Sequence, residues 1–260
     1  MKHINELSTL EQTLFIPLAV RAKESECAYP TIMDRKAIDI FQQCDTSGLI
    51  IDGGSISAHG ILARTKIIDI EVKSIINKNP NAIVINLGAG LDTRFFRLDN
   101  GRIQWYDLDL PEVISLRKQF IPEDERLHYI PQSILDDSWI SQINYSENDT
   151  VILIAEGIFM YFSEDEVRKI LNLLAENFPD ANLCFDVVHR FFVGKKISAN
   201  FLWGIAKAEE IKRLCQNISL VNSWSAGNLL KQRQSLLYRL LNVFPSTRNR
   251  SQIMHLKFER

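Results

Sequence analysis

The 260-residue sequence predicts a doubly wound α/β fold. Three observations carry that prediction. Short apolar runs at Ala82–Leu87, Ile103–Leu108, Leu127–Pro131, Thr150–Ala155 and Asn182–Val188 have the length and composition of buried parallel strands. Helical stretches at Pro111–Phe120, Ser138–Ile143 and Ser163–Phe178 lie between them, and strands alternating with helices fold as a sheet covered on both faces. The first run closes on Gly88-Ala89-Gly90, a tight turn that leads into a further helical stretch.

Upstream of the first strand, residues 1–80 read as mostly helical. Ser8 to Glu11 forms a capping-box start, followed by Leu10, Leu14, Leu18 and Arg21 at helical spacing. Pro17 is expected to kink or break this helix, because it has no N–H to donate. Gly48 and the Gly53-Gly54 pair mark turns. A second helix is expected from Ser57 to Asn77, with Ile61, Ile68, Val72 and Ile75 on its apolar side and Asn79-Pro80-Asn81 stopping it. Farther on, Ser163 is an N-cap with Glu166 three residues later. After Val188 the pattern predicts a helix near Lys207–Gln216, then terminal strands at Ile218–Trp224 and Ser251–Phe258. With no repeat and no linker-like stretch, the chain reads as one domain: a helical cap over residues 1–80 and an α/β core over residues 81–260.

Thirty Lys and Arg against 32 Asp and Glu give a net charge of −2, which excludes the broad cationic field of a nucleic-acid binder while leaving room for a local patch. The four cysteines form no CxxC pair and no His stands at ligand spacing from them, so neither a disulfide framework nor a metal site is expected. The start of the chain lacks a signal-peptide pattern, and no apolar run approaches the ~18 residues of a membrane span. The expectation is a cytoplasmic protein with neither a nucleic-acid nor a membrane partner.

The glycine turn is the most informative segment. Gly88, Ala89 and Gly90 let the main chain approach a ligand closely. A dinucleotide fingerprint would want a small residue at position 93, where this chain has Thr93 followed by the bulky Arg94, Phe95 and Phe96. Asp109 lies 21 residues beyond Gly88, at the end of the second strand. An acidic residue about 20 residues past such a turn is placed to accept both hydroxyls of a ribose; the competing role is to cap the helix starting at Pro111. Glu156 ends the fourth apolar run. A carboxylate there is costly to bury alone, so it is either part of a ligand site or answered by an arginine not apparent in the sequence. Arg21 and Arg64, in the helical segment, are candidate counter-charges or else solvated helix residues.

The stretches AIVINLGAGLDTRFFRL (Ala82–Leu98), WYDLDLPEV (Trp105–Val113) and IAEGIFMYFSEDEV (Ile154–Val167) resemble the leucine carboxyl methyltransferase family, and more closely its tetracenomycin polyketide O-methyltransferase branch. Weaker similarity extends through LFIPLAVRA (Leu14–Ala22), HGILARTKIID (His59–Asp69) and Trp203-Gly204-Ile205. The resemblance implies a seven-stranded, mostly parallel sheet with its last strand antiparallel, beneath an N-terminal helical lid, and S-adenosylmethionine as cofactor. It further implies that Gly88 lies against the cofactor, Asp109 binds its ribose, Arg64 holds the methionine carboxylate, Arg21 is near a second cationic contact, and Glu156 sits at the amino-acid end. Where the family has Asp-Leu against the adenine, this chain has Ser133-Ile134; Ser133 can accept one hydrogen bond while Ile134 packs on the ring, or Asp136 reaches in instead.

The family implies a carboxylate acceptor, which is already ionised at neutral pH and needs no general base. The expected catalyst is therefore alignment rather than a triad. A small organic acid is the favoured acceptor; a protein C-terminal carboxylate is the alternative, and a non-catalytic cofactor-binding protein is a further one. Tyr161, His189 and His59 are candidate acceptor contacts.

Overall fold

Seven strands form one sheet in the order β5-β4-β3-β6-β7-β9-β8. Its members are β3 (Ile83–Leu87), β4 (Gln104–Asp109), β5 (Leu127–Pro131), β6 (Val151–Ala155), β7 (Asn182–Val188), β8 (Ile218–Ser225) and β9 (Ser251–Phe258). The computed structural model describes residues 2–3, 9–45, 56–195 and 200–260. Strands β3 to β7 pair in parallel, whereas β9 runs antiparallel to both β7 and β8. A separate two-residue parallel pair joins β1 (Lys2–His3) to β2 (Cys44–Asp45).

The apolar runs are continuous because each strand feeds two cores. Ile83, Ile85 and Leu87 of β3, with Val151, Leu153 and Ala155 of β6, pack against α6 (Glu164–Asn177) through Val167, Ile170, Leu171 and Leu174. The alternate residues Val84, Ile152 and Ile154 meet Ile68, Val72 and Ile76 of α3 (Ile56–Lys78) on the opposite face. This two-residue alternation between faces is what a doubly wound sheet requires. Helix α6 begins as expected: Ser163 accepts from the Glu166 amide, and the Glu166 carboxylate accepts from the Ser163 amide at 2.7 Å.

Several expectations change. Helix α1 (Thr9–Ser25) runs uninterrupted through Pro17. Phe15, Leu18 and Ala22 on either side bury into one cluster, so packing holds the helix across the missing hydrogen bond. On α3 it is Ile76 rather than Ile75 that is fully buried. The segments expected as helices at Ser138–Ile143 and Lys207–Gln216 are single 3-10 stretches, Asp137–Gln142 and Ala208–Arg213. The first drops Trp139 into the core and the second Ala208 and Ile211, and about two 3-10 turns suffice for that. Helix α5 is Pro111–Lys118, and the helix after the glycine turn, α4, is only Arg94–Leu98. Ser8, Gly48 and the Gly53-Gly54 pair lie outside the described residues.

Helix α1 packs on α2 (Arg35–Gln42) and on α3. The C-terminal half of α3 belongs to the sheet's own layer, against β7 and β9 as well as β6. One helix therefore links the cap to the core, and it carries Arg64 between them.

Candidate active site

Strand order reverses between β3 and β6, so the switch point, beside which open α/β sheets bind ligands in a crevice, lies at the carboxyl ends of these two strands. The Gly88 side is tight. Gly88 has φ +67° and Gly90 φ +48°, and a Cβ on Gly88 would stand 2.2 Å from Ile158 Cδ1 in the loop after β6. Both loops thus meet at the switch point.

The amides of the turn are all engaged by the protein. Gly88 and Ala89 donate to the Leu108 carbonyl at 2.8 and 3.1 Å, Gly90 donates to Asp109 Oδ2 at 2.7 Å, and Arg94 donates to Asp92 Oδ1 at 3.0 Å. No free amide remains among them for a pyrophosphate, which agrees with reading Thr93 and its neighbours as unsuitable for a dinucleotide. Asp109 also accepts from the Leu110 amide at 2.7 Å. Burial raises its pKa above the ordinary carboxylate value despite those two bonds. Its neighbour Asp107 points into the core, where Arg117 at 2.5 Å, Trp105 Nε1 at 2.8 Å and Asn86 Nδ2 at 2.9 Å satisfy it.

Across the crevice, Glu156 is answered by two arginines. Arg64 Nε donates to Oε1 at 3.0 Å, Thr65 Oγ1 donates to the same oxygen at 2.9 Å, and Arg94 Nη2 donates to Oε2. Burial works to raise the Glu156 pKa, but the guanidiniums of Arg94 and Arg64 overcome it and hold the carboxylate below its ordinary value. Arg64 is also shared: its Nη1 reaches Asp186 at 3.2 Å, and Asp186 accepts from the Gly157 amide at 2.6 Å. Gly157 has φ +74°, and a Cβ there would meet Arg64 Nη2 at 2.9 Å, so glycine is what lets the loop pass beneath the guanidinium. Asp186 is fully buried, and that burial raises its pKa in spite of Arg64.

Behind this pair lies a lattice in which Arg21 is the one member singled out from sequence as a candidate site residue. Arg94, fully buried, bonds Asp69 and Asp92 at 2.5 Å each besides Glu156. Arg97 bonds Asp34 at 2.6 Å and Asp69 at 2.7 Å. Arg21 is not solvated and does not line the crevice; it lies buried one layer back, giving Nε to Asp34 at 2.9 Å and Nη2 to the Leu91 carbonyl at 3.0 Å. Arg94, read from sequence as bulk at a helix start, is the centre of the network. Together these ion pairs join five guanidiniums (Arg21, Arg64, Arg94, Arg97, Arg117) to six carboxylates (Asp34, Asp69, Asp92, Asp107, Glu156, Asp186), and Asp109 is additional. At the strand exits themselves Asp109, Glu156 and Asp186 stand against the guanidiniums of Arg64 and Arg94, a surplus of one carboxylate that suits a ligand of net positive charge better than a polyphosphate.

The remaining predicted residues divide. Ile134 is buried in the core cluster beside Leu87 and Leu108, and Ser133 Oγ accepts from the Leu135 amide at 3.2 Å. Asp136 does not reach in: it accepts from the Ser138 amide and hydroxyl at the surface. Tyr161 is half-exposed beside the Phe201 ring, 5.8 Å away, and its phenol pKa is raised by burial, against the pull of Arg64. His189 accepts the Phe191 amide on Nδ1 at 3.1 Å. His59 does not join this group. It is buried against the segment after β8, with Nε2 3.1 Å from the Ala226 carbonyl and its ring edge-on to Tyr238 at 5.0 Å. A cavity of about 250 Å3 touches the lattice at Asp69 and Arg97 but is lined by none of Gly88, Asp109 or Glu156.

Residues 20–175 match the model of the leucine carboxyl methyltransferase family. The chain is 25% identical over 228 residues to the tetracenomycin polyketide synthesis O-methyltransferase TcmP of Streptomyces glaucescens, covering 84% of each chain. It is 30% identical over 192 residues to the S-adenosyl-L-methionine-dependent methyltransferase dpfgK of Gibberella zeae, covering 68% of this chain and 64% of the relative. In fold it is similar to the magnesium protoporphyrin IX methyltransferase ChlM of Synechocystis, solved with S-adenosylmethionine, at TM-score 0.51 and 11% identity over 87% of this chain and 93% of that one. Matched by this family model over more than half of its length, the chain belongs to the leucine carboxyl methyltransferase family of S-adenosylmethionine-dependent methyltransferases.

Proposed function

We propose that this chain methylates a carboxylate oxygen of a small organic acid, with S-adenosylmethionine held across the crevice between β3 and β6. The observation that carries the reading is the fork in which Arg64 lies between Glu156 and Asp186, opposite Gly88 and Asp109. Such a fork suits a zwitterion: Arg64 would bind an α-carboxylate, and Glu156, held ionised, an α-ammonium. Asp109 would accept the ribose hydroxyls, and Ile134 would pack on the adenine with Ser133 at its edge. The cofactor carries one net positive charge, which matches the negative surplus of the site. When bound, it supplies a methyl group on a positively charged sulfur.

The protein's own share of the work is then placement and exclusion of water. A carboxylate acceptor arrives ionised and asks for no general base. The titratable groups at the rim fit that role poorly as bases: burial keeps the Tyr161 phenol protonated, and the His189 Nδ1 lone pair is engaged by the Phe191 amide. Alignment of two reactants contributes up to roughly 7–11 kcal/mol in the best intramolecular models. Tyr161 and His189, at the exits of β6 and β7, would position the acceptor. The O-methyltransferase named in polyketide synthesis, among the relatives, supports an oxygen acceptor on a small molecule.

The test is incubation of the purified chain with methyl-labelled cofactor and a panel of aromatic and aliphatic acids. Label released as methanol by mild base, on a small molecule, is the expected result. Label that survives base, or that stays with a protein fraction from a cell extract, would overturn the assignment of a small acid.

A further inference from the structure

Whole-chain charge hides a sharp asymmetry. Between Ile211 and Phe258 there are eight Lys or Arg and no Asp or Glu, leaving the rest of the chain at −10 against the overall −2. Most of these cations lie in the excursion from Ser225 to Ser251 that links β8 to β9. The excursion is anchored from inside. Tyr238, in α7 (Leu236–Leu241), packs edge-on against His59, and buried Gln234 donates to the Gly227 and Leu229 carbonyls at 2.9 Å each.

Its outer side is apolar. Leu236, Leu240, Val243 and Phe244 follow the i, i+4, i+7, i+8 spacing of one helical face and are 75%, 61%, 74% and 62% exposed. Hydrogen bonds from the Val243 and Phe244 amides to the Leu240 and Leu241 carbonyls, at 3.2 and 3.1 Å, carry the turn past the end of α7. Beside this face stand Lys231 and Arg239, both exposed, with no acidic partner among the described residues; Arg239 donates to the Lys231 carbonyl at 2.7 Å. Arg248, in α8 (Pro245–Arg248), is half-buried and likewise has no acidic partner there.

We propose that this face docks on an anionic lipid surface, against the expectation of no membrane contact drawn from overall composition. An aliphatic ridge flanked by unpaired cations matches the boundary between acyl chains and acidic headgroups, where the ridge inserts shallowly and the cations stay among the headgroups. A protein partner fits less well, because Leu and Val are under-represented among the residues that anchor protein interfaces, and three of the four ridge residues are Leu or Val. A nucleic acid fits less well again, since it is gripped by stacking aromatics, and Phe244 is the one aromatic side chain in the ridge. The excursion is tied to the helix that carries Arg64: His59, against which Tyr238 packs, precedes Arg64 by five residues on α3, about 7.5 Å along the helix. Docking here would present the crevice to amphipathic acids dissolved in the membrane surface.

Sedimentation with vesicles of phosphatidylcholine alone, or mixed with phosphatidylglycerol, tests the proposal on the full chain. Binding to the mixed vesicles is expected to exceed that to neutral ones by roughly a hundredfold, from three cations near the surface, and to fall with added salt. The double variant Leu240→Asp/Phe244→Asp, at exposed positions, should keep the wild-type melting temperature and lose about tenfold or more of this binding. Lys231→Glu/Arg239→Glu should abolish the preference for acidic lipid. Equal binding to both vesicle types, or an unchanged double Asp variant, would overturn the proposal. So would light scattering that finds a dimer made monomeric by the double Asp substitution, since a second copy would then cover the ridge. A charge-dependent affinity for RNA with none for vesicles would overturn it too.

Discussion

The two sides of the crevice hold their carboxylates in different ways. On the β3–β4 side, Asp109 is fastened by main-chain amides, from Gly90 and Leu110, that lie within or next to the two strand exits. On the opposite side one main-chain amide, that of Gly157, reaches Asp186, but the charges of Glu156 and Asp186 are answered by side chains from elsewhere: Arg64 on α3, 92 and 122 residues away, and for Glu156 also Arg94, 62 residues away. The first arrangement is local and rigid. The second is a lattice in which Arg64, Arg94 and Arg97 each serve two or three acids, so the loss of one of them leaves several buried charges unmatched.

Breaking the lattice at its centre should have the largest effect. Arg94→Ala strips a partner from Asp69, Asp92 and Glu156 at once, and a loss of about 3–5 kcal/mol in unfolding free energy is expected from urea titration. Arg94→Lys should recover only part of this, because an ammonium cannot span three acids with a planar fork. Gly88→Ala tests the rigid side. The added Cβ meets Ile158 at a left-handed φ, so a cost of about 1–3 kcal/mol is expected, and Ile158→Ala should relieve the contact but leave the backbone penalty.

Arg64→Ala should separate affinity from stability. Glu156 keeps Arg94 and Asp186 keeps the Gly157 amide, so the fold should survive while cofactor affinity by isothermal titration drops about tenfold or more. An unchanged affinity would remove Arg64 from the proposed fork.

The smallest effects are pH-dependent and opposite in sign for the two lattice acids. Glu156 has its pKa held below the ordinary 4.5, so its stabilisation is complete above pH 4.5 and is lost as pH falls through the lowered value. The destabilisation measured for Glu156→Gln should therefore shrink in acid. Asp186 has its pKa raised above 3.8, so its contribution is complete below pH 3.8 and is lost as pH rises through the raised value. Asp186→Asn should accordingly gain on the wild type as pH rises through that range. Thermal melts across pH for the three proteins would show whether the trends diverge.

The same contrast explains what was legible in the residues. Asp109 could be found because β3 and β4 are adjacent parallel strands leaving the same edge, which sets a fixed spacing between a glycine turn and the acid beside it. Glu156 could be found because a charge ending an apolar strand needs a reason. Arg94 was readable only as bulk: nothing near Asp92-Thr93-Arg94 announces Asp69 or Glu156 as its partners. Asp34 resembles an ordinary N-cap, and it does accept from the Ala37 amide at 3.0 Å, yet it also receives Arg21, Arg97 and Thr93. Arg21 and His59 were visible, but their burial one layer back and against the β8–β9 excursion was not.

Taken alone, the amino-acid order determined the strand and helix rhythm, the two-faced sheet, the glycine turn with its acid, and the family. These follow from short-range patterning of apolar residues and from backbone freedom, which act over a few residues or between neighbouring strands. Tertiary structure decided which charges meet, that α3 serves both cap and core, and that Lys231, Arg239 and Arg248 of an acid-free segment lie by an exposed apolar ridge while Arg233 pairs with Glu24. Burial makes an unpaired charge costly, but it leaves the choice of partner to whichever distant segment the fold brings within hydrogen-bond reach.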